Sequence, residues 1–213
     1  MLISITYSFA QTQNFGIAIK GSTTGYGGDL VFQFHEKMSA RIGVDHMKLS
    51  FPFEFKQDGI DYSANATNRT GTILTLYDYH IAKYVFASAG VGFNNFNINA
   101  SGAANSSLPW GDIEIPAEKI GTFVFDIKPK MRLSPYLGLG IGRTLGLYKL
   151  VGFSFEAGTF FQGAPDISIE SDGLLAPTSD PDHGQETLIE GQLKQYYLYP
   201  VLKLNLSFKI VSF

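Results

Sequence analysis

Alternation is the dominant signal along this chain. In "LYPVLKLNLSFKI", Leu198, Pro200, Leu202, Leu204, Leu206, Phe208 and Ile210 fall on one face. Tyr199, Val201, Lys203, Asn205, Ser207 and Lys209 fall on the other. A period of two marks a strand whose two faces meet different surroundings. The same period recurs throughout. "NFGIAIKG" aligns Phe15, Ile17 and Ile19, and "YGGDLVFQFH" sets Leu30, Phe32 and Phe34 against Asp29, Gln33 and His35. "ARIGVDHMKLSFPFEF" carries Ala40, Ile42 and Val44 on one phase, then Met47, Leu49, Phe51, Phe53 and Phe55 on the other. A phase change of that kind predicts a β-bulge near Asp45 and His46. "YSANATNRTGTILTLYDYH" reads as one long strand. "KYVFASAGVGFNNFNINA", "KIGTFVFDIK", "PYLGLGIGR", "LVGFSFEAGTFF" and the short "DISIE" complete ten strands with the closing one. Only "QETLIEGQLKQ" reads as a helix.

The breaks between strands differ in length. Those near 36–39, 80–83, 128–133 and 162–166 are short, whereas 56–60, 99–118, 143–149 and 171–195 are mostly longer, with 101–118 reading as a long loop. Short turns on one rim and long loops on the other characterise outer-membrane barrels. Aromatic residues gather at strand ends: Tyr77, Tyr79, His80 and Tyr84 around one turn, Tyr136, Phe160 and Phe161 near two others, and Tyr196, Tyr197 and Tyr199 before the last strand. Such placement predicts interfacial girdles. The expected fold is all-β, an antiparallel up-and-down transmembrane β-barrel of ten strands, with eight as the alternative. An even number brings both ends of the chain to one rim.

Composition narrows this further. With 213 residues, one barrel domain over 11–213 accounts for the chain. Charged residues make up only 16%, and aromatics 14%, with 18 Phe and 11 Tyr against one Trp. Mean hydropathy is close to neutral, as expected when greasy and polar faces alternate. No stretch approaches the ~20 apolar residues of a spanning helix. A net charge of −3 without basic runs gives no footprint for nucleic acid, and the absence of Cys excludes thiol chemistry. Residues 1–10, "MLISITYSFA", resemble a truncated secretion signal ending in a small-x-small site at Ser8–Ala10.

The polar phases supply the candidate site. Arg41, Asp45, Lys48, Asp126, Glu156, Lys203 and Lys209 are the barrel-interior candidates, in the company of Lys20, Asp29 and Glu54. Both signs occur, so two readings stay open: a charge-paired plug, or a narrow polar path or small-ligand site. Gly90, Gly92, Gly138, Gly140 and Gly142 would leave space inside or make room for bulky neighbours. Catalytic patterns are weak. His46 beside Asp45 is the best histidine–acid pair of a poor set, and the glycines of "GLGIGRTLG" sit at strand spacing with no helix to follow. Asp172, Asp180, Asp182 and His183 are the nearest approach to a cation-binding loop. No catalytic, cofactor or metal site is expected.

Four stretches, "DGIDYSANATNRTGTILTLYDYH", "SPYLGLGIGR", "FSFEAGTFFQGAPDISI" and "YYLYPVLKLNLSFKI", carry a resemblance. The chain resembles the small outer-membrane β-barrels of Gram-negative bacteria, in the broad group around outer-membrane protein W and the outer-membrane protein A membrane domain. More closely, it is similar to a little-characterised family of barrels of about this chain's length. The resemblance implies a non-catalytic outer-membrane protein with a structural or interaction role, as a subunit of a larger envelope assembly or a surface binder. The alternative is a narrow channel or small hydrophobic-ligand carrier. It implies outer-membrane lipid, the barrel-assembly machinery and another envelope protein as partners, with short turns in the periplasm and long loops outside. In such families the assembly machinery reads a terminal aromatic. Here Phe213 falls on the polar phase, so Leu198–Ile210 is expected to face lipid and Val211–Phe213 to run past the membrane register.

Overall fold

The computed structural model describes residues 13–57, 59–111, 113–146, 149–179, 189, 191 and 197–213. The expected signal stretch 1–10, Tyr196 and nearly all of the expected helix at 185–195 lie outside them. The strands are β1 (Asn14–Ser22), β2 (Gly25–His35), β3 (Met38–Gln57), β4 (Ile60–Ala82), β5 (Val85–Asn94), β6 (Asn97–Ala104), β7 (Leu108–Trp110) and β8 (Ile113–Ile115). A one-turn helix α1 (Ala117–Ile120) follows, then β9 (Thr122–Lys128), β10 (Leu133–Gly142), β11 (Val151–Phe161), β12 (Asp166–Ser171), a 3₁₀ segment (Gly173–Ser179) and β13 (Leu198–Ser212).

Eight strands close on themselves in the order β4-β3-β2-β1-β13-β11-β10-β5, and β5 returns to β4. Every pairing in the ring is antiparallel. Eight is thus the count of the closed barrel. The other two expected strands, β9 and β12, stack instead beyond one rim, in the order β12-β9-β6-β4. They continue β10 and β11 past short kinks at 129–132 and 162–165, as β6 continues β5 past Asn95 and Phe96. With the upper halves of β3 and β4 they raise one side of the barrel into a five-stranded wall. The region expected as a long loop at 101–118 is partly this wall: β6 runs to Ala104 and pairs with both β4 and β9.

The two rims differ from the sequence-based expectation in two respects. The connections 36–37, 83–84 and 143–150 share a rim, tied by the backbone bonds His80 N to Lys37 O, Gly142 N to Tyr84 O and Lys209 N to Leu150 O. Of residues 143–149, expected on the long-loop side, the described ones, 143–146 and 149, therefore belong to the short-turn rim. Both ends of the barrel lie there too, since Gln13 and Phe213 exchange backbone hydrogen bonds. The breaks at 128–133 and 162–166 are kinks on the opposite rim.

No bulge breaks β3. Its pairing with β4 is continuous from Met38–Tyr79 to Gln57–Ile60. The phase of its apolar residues changes because its surroundings change: below Asp45 the outer face meets the apolar exterior, while above it the strand has left the ring and the inner face is the greasy one. Phe55 stacks on Tyr62 with centroids 5.1 Å apart and meets Phe123 at 6.1 Å on that inner face. Bulges occur at the short-turn rim instead, where the pairings skip Phe34, Ile81 and Ile210. The bulge at Ile210 resets the phase of the last residues. Ser212 Oγ donates inward to Asn14 Oδ1 at 2.7 Å, so Val211 and Phe213 face outward, Phe213 at 75% exposure. Phe213 is not on the polar phase, and β13 runs on through Ser212.

The lumen is filled. Leu74, Leu76, Tyr136, Phe160 and Val201 form a buried cluster inside the ring. Glycines opposite make this possible: a Cβ on Gly92 would stand 2.5 Å from the Phe160 ring, and one on Gly140 would run into Phe86. Tyr136, Phe160 and His80, expected in rim girdles, are instead interior groups, each at most 3% exposed. Their phase, set by hydrogen-bond register, points them inward. Tyr77, Tyr79 and Tyr84 do line the outside near the short-turn rim. We predict that Gly140→Val lowers barrel stability by about 1–3 kcal/mol through overpacking. Phe86→Ala in the same chain should restore part of it, as read by urea unfolding in lipid vesicles followed by circular dichroism.

Candidate functional site

The faces of the ring are inverted relative to a soluble barrel. Outward positions are apolar and open, among them Ile42 (51%), Val44 (56%), Leu139 (62%), Phe153 (59%) and Leu204 (50%). Inward positions on the same strands hold Arg41, Asp45, Glu156 and Lys203, none more than 4% exposed. A continuous apolar exterior around a charged core suits hydrocarbon surroundings. Closure also leaves no open strand edge within the ring, as lipid demands.

Inside, one connected polar network crosses the lumen. Arg41 on β3 pairs with Asp78 on β4 at 2.7 Å and with Glu156 on β11 at 2.7 Å, and donates to Ser88 Oγ on β5 at 3.2 Å. In a ring of eight, β3 and β11 lie four strands apart in either direction, so the Arg41–Glu156 pair spans the barrel's diameter. Glu156 is held from its own side as well. Lys203 Nζ lies 3.2 Å from its Oε1, and the Tyr136 hydroxyl donates to the same oxygen at 2.6 Å. Lys203 also sits 3.7 Å above the Tyr136 ring centroid, a desolvated cation–π contact. Nearer the long-walled rim, Lys20 bridges Asp29 at 2.6 Å and Asp45 at 2.5 Å, and Thr24 donates to Asp45 at 2.8 Å. Ser39 and Ser88 complete the shell of Asp78.

The network's cations are Lys20, Arg41 and Lys203, and its anions are Asp29, Asp45, Asp78 and Glu156. Buried charges are tolerable only when paired and hydrogen-bonded, and each of these is. The arrangement ties opposite walls together.

Of the interior candidates, Arg41, Asp45, Glu156 and Lys203 come together in this network, with Lys20 and Asp29. Lys209 is half-buried on the inner phase near the short-turn rim, away from them. Two candidates are corrected. Lys48 is exposed on the outer phase of β3, above the ring. Asp126 lies on β9, in the wall outside the ring, where it accepts from Asn99 at 3.2 Å. Both errors follow from the same cause, since alternation does not say where a strand leaves the ring. Glu54 likewise sits on the exposed upper part of β3. Asp78 and Tyr136 were missed. Asp78 shares the phase of Leu74 and Leu76, which looks apolar, and only pairing register turns that phase inward. Asp45 and His46 point to opposite sides of the wall and form no dyad. Of the loop group Asp172, Asp180, Asp182 and His183, only Asp172 is among the described residues, bonded to the Thr122 backbone N–H.

The comparisons agree with this architecture. The crystal structure of Acinetobacter baumannii CarO superposes with a TM-score of 0.59 over 92% of this chain and 98% of that one, at 19% identity. That of Acinetobacter baumannii CarO2 superposes with a TM-score of 0.62 over 94% and 100%, at 17% identity. The chain shares the fold of these small β-barrels. No protein-family model matches the chain, and the comparison with curated proteins returns no match. Such a barrel has one geometric keystone here, the bridge from β3 to β11. Arg41→Met should destabilise the barrel by about 3–5 kcal/mol, because it strands Asp78 without a counter-charge and leaves Glu156 to Lys203 alone. Adding Asp78→Asn, which removes the unpaired carboxylate and leaves the Lys203–Glu156 pair intact, should recover most of the loss in urea titrations.

Proposed function

We propose that this is a non-conducting protein of the bacterial outer membrane, acting through its extramembrane wall rather than through its lumen or by catalysis. The Arg41–Glu156 bridge across the full diameter carries this reading. Below and above it, Phe86 and the Tyr136–Phe160 cluster fill the remaining cross-section. A solute path would have to break buried ion pairs. The channel reading therefore has less support than the structural or interaction reading.

The orientation follows from the rims. Both barrel ends and the three connections 36–37, 83–84 and 143–150 lie on one side, which we place in the periplasm. The wall built by β3, β4, β6, β9 and β12 then stands outside the cell. Its inner face is apolar and only partly covered. Tyr62 and Ile120 are buried there with Phe123 and Leu175, yet Leu49, Phe51, Phe53 and Phe55 remain 38–54% exposed. That face favours a second reading in the same place, a small hydrophobic ligand or the apolar surface of another envelope protein. Insertion by the barrel-assembly machinery is part of the proposal, with β13 and its outward Val211 and Phe213 as the strand it would engage.

Purified protein in planar bilayers should give a flat current trace, and Arg41→Ala with Glu156→Ala and Tyr136→Ala should introduce current steps. Regular steps from the unaltered chain would sink the reading.

A further inference from the structure

On the outer surface of the wall, Lys48 on β3 and Arg69 on β4 are directly opposed cross-strand partners. Both side chains are exposed. Like charges facing each other across a strand pair repel. Neither has an ion-pair partner among the described residues. Two steps down the same strand pair, Val44 and Ile73 face each other on the same outer phase, 56% and 54% exposed. Four residues of tilted strand place the cations roughly 10 Å above that apolar row. They stand where hydrocarbon gives way to headgroups.

Beside Arg69 a cleft of about 240 Å³ opens, lined by Thr67, Arg69, Asn97, Asn99 and Asp126. Its chemistry is mixed. Arg69 supplies donors, Asp126 accepts from Asn99 at 3.2 Å, and the buried Oδ1 of Asn97 has no hydrogen-bond partner. An orphaned buried acceptor at a cleft wall asks for a donor from outside. A phosphate alone would satisfy the two cations but would leave the Asn97 oxygen without a donor and bring a second anion beside Asp126. A phosphorylated sugar satisfies both sets, with its phosphate at Lys48 and Arg69 and its hydroxyl or amide N–H groups at Asn97 and Asp126.

We infer that Lys48, Arg69, Asn97 and Asp126 form a binding site for the phosphorylated sugar headgroup of an outer-leaflet glycolipid. The inference rests on the orientation proposed above, with the wall outside the cell. The site would anchor the tall side of the barrel at the membrane surface and neutralise the opposed cations.

The test uses the full chain in phosphatidylcholine nanodiscs, with bisphosphorylated lipid A as probe and native mass spectrometry as readout. Lipid A should be retained and its dephosphorylated form lost. Lys48→Gln with Arg69→Gln should weaken retention roughly thirtyfold, by the removal of two interfacial cations. Asn97→Ala should weaken lipid A while leaving retention of phosphatidylglycerol unchanged. Heat-modifiable gel mobility verifies that each variant is a folded barrel. Equal retention by the double variant, equal retention of dephosphorylated lipid A, or displacement by inorganic phosphate would each overturn the glycolipid site. Nanodisc binding does not depend on orientation. Protease treatment of intact cells tests that separately, and a wall protected from cleavage would overturn the orientation while the binding result still decides the site.

Discussion

A single guanidinium holds this barrel's cross-section. Arg41 reaches from β3 to its neighbour β4 through Asp78 and to the far wall through Glu156. Glu156 can be buried without water because Arg41, Lys203 and Tyr136 all address it. Arg is suited to this because its planar fork makes several directed bonds at once. The aromatic and aliphatic cluster packs around these pairs, and the wall glycines permit it. Gly138 and Gly158 give the Tyr136 hydroxyl the room it needs to meet Glu156. Lumen chemistry and wall composition are thus one constraint: bulky interior groups on some strands require missing side chains on the strands that face them.

The second organising feature is asymmetry of height. β1, β2 and β13 end near the long-walled rim, whereas β3 and β4 continue well past it and recruit β6, β9 and β12. Crossing the rim exchanges the roles of the two faces. Within the ring the outer phase is apolar; above it the inner phase carries Phe51, Phe53, Phe55 and Phe123, and the outer phase carries Lys48, Arg69, Asn97 and Asp126. Each strand is written for two environments in succession. The functional proposals follow from that division, with a charge-paired lumen below and two chemically distinct surfaces above.

Much of the fold was legible as alternation. Leu202, Leu204 and Phe208 against Lys203 and Asn205 is enough to place one face of β13 outside and one inside. Where alternation weakened, the reading weakened too. β4 is apolar on both phases between Ile73 and Tyr77, so Asp78 was invisible as an interior charge. Lys48 falls on the outer phase of β3, opposite to Arg41 and Asp45, and Asp126 lies on β9, which stands outside the ring. Tyr136 and Phe160 sit near strand ends and looked like girdle residues, because sequence position does not reveal which way a ring points.

The sequence by itself determined the class: period-two strands, scarce charges, abundant Phe, Tyr and Gly, and no spanning helix leave little besides an alternating membrane barrel. These are local properties, and pleating converts them directly into faces. Tertiary structure decided the rest. Eight strands rather than ten close the ring because β9 and β12 find partners on β6 rather than on ring edges. Arg41 meets Glu156, 115 residues away, because closure brings opposite strands face to face across the lumen. The bulge at Ile210, one unpaired residue beside β1, turns Val211 and Phe213 outward. Register, closure and height are relations between strands, and no single strand's pattern contains them.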